Sequence, residues 1–78
     1  MTLKELQLGQ SARIEKVNAH EPGVVRLMVL GLIEGAEVQF DNAAIGGDPM
    51  EISVFGTAIS VRKQQADNFS VTPISTNV

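Results

Sequence analysis

Met50-Glu51-Ile52-Ser53-Val54-Phe55-Gly56-Thr57-Ala58-Ile59-Ser60-Val61 is the stretch whose reading decides the fold. Met50, Ile52 and Val54 alternate with Glu51 and Ser53, and Thr57, Ile59 and Val61 then alternate with Ala58, Ser60 and Arg62. A period of two puts each apolar set on one face of a strand. Phe55-Gly56 between the runs has the length of a two-residue hairpin connection, with glycine supplying positive φ.

Upstream, Glu34-Gly35 reads as a turn, after which Ala36, Val38 and Phe40 alternate with Glu37 and Gln39, a third strand with one face in the core. Asp41 to Pro49 is a loop by composition. Ser11 to Asn18 is a further half-buried strand, with Ala12 and Ile14 on one face and Arg13 and Glu15 on the other. Val17 breaks that parity, which predicts a bulge or a strand end there. Between these strands, Val24 to Leu30 reads as about two turns of helix closed by Gly31. Its core face carries Val24, Leu27, Met28 and Leu30.

At the ends, Leu3, Leu6 and Leu8 with Glu5 predict a short helical turn after Thr2, whose hydroxyl could cap it, lying as a lid over one end of the fold. Lys63 to Ala66 reads as a helical turn and Phe69-Ser70-Val71 as a last short strand, followed by a frayed polar tail. The expectation is an all-β fold, a small barrel of about five strands with one helix between strands 1 and 2. Closure would remove the edges that so short a sheet exposes. The domain division expected is one unit over residues 1–73 with a frayed tail at 74–78.

A chain of 78 residues has room for one modest core. With no cysteine it builds neither a disulfide framework nor a thiolate zinc site, which is compatible with a reducing compartment. The longest apolar stretch, Val24 to Ile33, is interrupted by Arg26 and Gly31 and falls short of the ~20 residues of a membrane helix. Net charge is −3 and the six basic residues are scattered, which argues against nucleic acid as the partner. Phenylalanine is the only aromatic type, so base-stacking platforms are not expected.

The inventory for chemistry is thin. His20-Glu21 is the only pairing of histidine with a carboxylate, and a ferrous site of two histidines and one carboxylate needs a second histidine that the chain lacks. Gly46-Gly47-Asp48-Pro49 lacks the lysine and hydroxyl residue of a phosphate loop and precedes a strand, so it reads as a turn with Asp48 accepting from local backbone N–H groups. No serine or lysine sits in a recognisable nucleophile setting. The expectation is a non-enzyme without a cofactor or a metal site.

Arg26-Leu27-Met28 leading into Leu30-Gly31-Leu32, then Gly35, Glu37 and Val38, then Gly47-Asp48-Pro49, Gly56, and Val61-Arg62-Lys63 with Ala66, form an ordered series over nearly the whole chain. In order and spacing it resembles FeoA proteins and the SH3-like module of iron-dependent repressors. The resemblance implies an SH3-like barrel and an accessory role in bacterial ferrous iron uptake. Its implied partner is FeoB, the membrane transporter with a cytoplasmic GTP-binding region, and the implied location is the cytoplasm, peripheral to the inner membrane through FeoB. Leu30, Gly31, Leu32, Gly35, Gly47, Asp48, Pro49 and Gly56 are the motif positions with a structural part. Val25, Val29 and Glu34 stand where the family commonly has a basic residue, an aspartate and a proline.

The partner-binding candidates are Val25, Val29, Phe55 and Arg62. Helical geometry throws Val25 and Val29 onto the face opposite the core, and strand alternation points Phe55 away from Met50, Ile52 and Val54. Exposing a valine forgoes burial of about 1.5–3 kcal/mol, which a partner could recover. Two other readings compete with FeoB binding: a regulatory or peptide-binding module like that of the repressors, and a homo-oligomeric scaffold. The first normally comes with a DNA-binding helix-turn-helix, which this sequence does not contain.

Overall fold

The hairpin at Phe55-Gly56 pairs Val54 with Thr57, Ser53 with Ala58, Ile52 with Ile59 and Met50 with Val61, the in-phase register that the alternation predicts. Phe55 as well as Gly56 takes positive φ, at 52° and 77°, so both turn positions are left-handed. The computed structural model describes residues 1–74. Five strands, β1 (Ser11–Val17), β2 (Glu37–Ala43), β3 (Met50–Val54), β4 (Thr57–Val61) and β5 (Phe69–Ile74), form one sheet in the order β4-β3-β2-β1-β5. Every neighbouring pair is antiparallel. Helix α1 (Pro22–Val29) joins β1 to β2, and the four-residue helix α2 (Lys63–Ala66) joins β4 to β5.

The inner face of the sheet supplies Ile14, Val38, Ile52, Ile59 and Phe69 to one core, which Val24 and Leu27 of α1 close from one side. Leu3 and Leu6 cover it from the N-terminal 3-10 turn, Leu3–Glu5. There Glu5 Oε1 accepts from the Thr2 N–H at 2.7 Å, whereas the Thr2 hydroxyl reaches towards Asp67 Oδ1 at 3.4 Å instead of capping the turn. Among the described residues no helix is long and apolar enough to cross a membrane.

The structure corrects several local expectations. α1 begins at Pro22, whose fixed φ suits the first helical position, and ends at Val29 rather than Leu30. Leu30 is therefore a cap residue outside the buried stripe and is 49% exposed, while Leu32 takes the core position expected of it. The reason is a Schellman ending: the Gly31 N–H donates to Met28 O (3.0 Å) and the Leu32 N–H to Leu27 O (3.1 Å), with Leu27 and Leu32 both buried. Gly31, at φ 124°, makes that reversal possible.

In β1 the bulge sits at Glu15, between the Ile14–Val71 and Lys16–Ser70 pairs, and the strand ends at Val17. β2 runs on to Ala43 because a second bulge at Asp41 lets Asn42 and Ala43 keep pairing with Glu51 and Met50, which shortens the expected loop. β5 extends through Thr72, Pro73 and Ile74, paired with Arg13, Ala12 and Ser11. Proline is tolerated because β5 is an edge strand. The expected tail at 74–78 thus loses Ile74 to the sheet, and 75–78 lie outside the described residues. Thr57, read as inward-facing, is exposed at the hairpin mouth. Among the described residues β4 and β5 do not pair with each other, so both remain edges of the sheet.

Candidate functional site

Helix α1 crosses the structure between two contact points marked by glycines. At its start, Gly23 lies against the side-chain amide of Gln65 in α2. At its end, Gly31 lies under the hairpin tip, where a Cβ would stand 3.3 Å from Phe55 Cδ2 and 3.5 Å from Val54 Cγ1. Because β4 runs from that tip to α2, α1 lies alongside β4 in the opposite direction. Between them is a groove of about 250 Å³ lined by Arg26, Leu27 and Leu30 on the helix side and Thr57 to Ser60 on the strand side.

The outer face of α1 carries Val25 and Val29, 49% and 82% exposed, one helical turn apart. Phe55 is 73% exposed and its ring rests by Gly31, two residues beyond Val29. The structure therefore brings Phe55 to the same end of α1 as Val29. Leu30 and Ile33, also exposed, extend the apolar surface there. Arg62 does not join them: it precedes α2, at the end of the groove marked by Gly23 and Gln65. Neither Arg26 nor Ile33 is among the partner-binding candidates that the sequence offers. The Leu-Gly-Leu signal could have found the exposure of Leu30, since a helix closed by Gly31 makes Leu30 the cap and gives the buried contact with Leu27 to Leu32.

Asp48 does not bond locally. Its Oδ1 accepts from the backbone N–H of Lys63 at 3.1 Å, tying the Gly46-Gly47-Asp48-Pro49 loop to the first turn of α2. Gly47 faces the Lys63 side chain, where a Cβ would stand 3.0 Å from Nζ. Asp48 thus satisfies one of the N–H groups that a helix start leaves free. His20 is exposed in the turn before α1, its N–H donating to Asn18 Oδ1 at 3.3 Å. Among the described residues no group of three or more His, Asp or Glu side chains could hold a metal ion.

The family model of the FeoA domain matches residues 1–73. This chain belongs to the FeoA family. The FeoA protein of Chlorobium tepidum is 35% identical, with a TM-score of 0.87 over 100% of this chain and 74% of that one. FeoA of Stenotrophomonas maltophilia, described as a prokaryotic SH3 domain protein and as complexed with zinc, is 34% identical, with a TM-score of 0.80 over 92% of this chain and 89% of that one. IdeR of T. acidophilum has the same fold, with a TM-score of 0.81 at 21% identity, over 95% of this chain and 34% of that one. A comparison with curated proteins gave no match. The FeoA fold is thus SH3-like, and the family is linked to ferrous iron transport; it is not a known enzyme family.

Proposed function

We propose that this FeoA protein is a non-catalytic accessory of bacterial ferrous iron uptake that binds the cytoplasmic part of FeoB and modulates its transport or assembly. The observation that supports this reading is the apolar surface along the outer face and at the end of α1, where Val25, Val29 and Phe55 are exposed and Phe55 is held in a left-handed conformation. Large side chains seldom occupy that region unless the surrounding structure imposes it. Exposed apolar anchors along one helix face and at its end suit a central contact in an interface, where a few residues carry most of the binding. Arg62 would lie at the rim, contributing more to the rate of encounter than to affinity.

Co-purification of the full chain with the cytoplasmic region of FeoB tests the reading directly. The parent chain is expected to be retained at low micromolar protein and to restore ferrous iron uptake to cells lacking their own FeoA. Val29→Glu should lose both. Absence of capture and of rescue by the parent chain would overturn the proposal.

A further inference from the structure

We propose that the groove between α1 and β4 binds an extended acidic peptide segment by strand addition, at a site that adjoins the Val25, Val29 and Phe55 surface at Leu30. Among the described residues β4 is an edge strand with a ladder partner on one side only. In a two-residue hairpin the residues flanking the turn form a hydrogen-bonded pair, and such pairs then alternate. Thr57, Ile59 and Val61 therefore direct their backbone groups to β3, and Ala58 and Ser60 direct their N–H and C=O groups outward. Ala58 and Ser60 both line the groove. An extended segment laid there would continue the ladder and place alternate side chains against Leu27, Leu30 and Ile59.

The charges specify the occupant. Among the described residues, Arg26 is the one charged residue lining the groove, and no carboxylate lines it. β4 leads on to Arg62 and Lys63 beyond the groove, where Lys63 faces Gly47, so Arg26 is the cation that an incoming strand meets. Carboxylates on that strand would meet Arg26 in a charge-assisted contact. A second copy of this chain suits the site poorly, because its own β4, Thr57 to Val61, carries no carboxylate to meet Arg26. A groove of about 250 Å³ is also too small for a helix, whose diameter with side chains is about 10 Å. It suits one or two side chains of a strand.

The test is titration of the isotopically labelled full chain with a capped peptide of about six residues alternating glutamate and leucine. The amide signals of Ala58 and Ser60 are expected to move and their hydrogen exchange to slow. The same peptide with N-methylated backbone amides should bind much more weakly, and a version with lysine in place of glutamate should not bind. Arg26→Glu, a surface change, should weaken binding about tenfold or more while leaving the free chain's spectrum otherwise unchanged. Equal binding of the lysine peptide, shifts confined to Val25 and Val29, the same shifts on concentrating the chain alone, or no shifts at about millimolar peptide would each overturn the proposal. None of these outcomes depends on FeoB, so the proposal can fail while FeoB capture succeeds, and the reverse.

Discussion

Phe55 holds its backbone at φ 52° with its side chain 73% exposed, a cost without an obvious return in the free protein. The first position of this turn type favours Asn, Asp or Gly, and a left-handed non-glycine residue costs on the order of 1 kcal/mol. Phe55→Asn should therefore raise the stability of the isolated chain by up to about 1 kcal/mol in a urea titration, while weakening FeoB capture. A gain in both stability and capture would argue that Phe55 is not displayed for a partner. Gly31 poses the opposite case. At φ 124°, and with the Phe55 ring 3.3 Å from where a Cβ would stand, Gly31→Ala should destabilise by about 1–2 kcal/mol and disturb the Schellman ending. Loss of the Leu32 amide's protection from hydrogen exchange would be its local signature.

At the scale of elements, α2 is too short to persist by its own propensity, so its connections hold it in place. One is Asp48, which accepts from the Lys63 N–H, and another is Gln65, whose Oε1 lies 3.4 Å from the Arg62 nitrogen. Asp48→Ala should cost about 0.5–2 kcal/mol, the range for losing a helix-start acceptor, and Asp48→Asn much less. Chemical denaturation of both variants checks this, and equal losses would mean that the carboxylate's charge, not its acceptor oxygen, matters. The link between loop and α2 spans fifteen residues of sequence, and that is why composition pointed only to a local turn at Asp48. The strands were legible because burial of one face imposes a two-residue period on Val38, Ile52 and Ile59. Leu30 was misread because apolarity cannot show where a helix stops, and the exposed faces of Val25, Val29 and Phe55 were legible by subtraction from the core faces. The groove was not, since the approach of α1 to β4 depends on where Gly23 and Gly31 meet other elements.

For the molecule as a whole, the absence of cysteine leaves stability to one core, and a chain of this length carries about 4–12 kcal/mol in total. Ile52 is fully buried at the centre of that core, and Ile52→Ala should remove about 2–5 kcal/mol, a large part of the total. Its capture by FeoB should fall only as the folded fraction falls, and should recover under conditions that restore folding. Val29→Glu changes a side chain that is 82% exposed, so its urea midpoint should match the parent within about 0.5 kcal/mol even as capture is lost. The two variants together separate a fold that merely carries the surface from a surface that makes the contact. If Val29→Glu keeps capture while Ile52→Ala loses it in step with unfolding, the docking surface lies elsewhere on an intact FeoA fold.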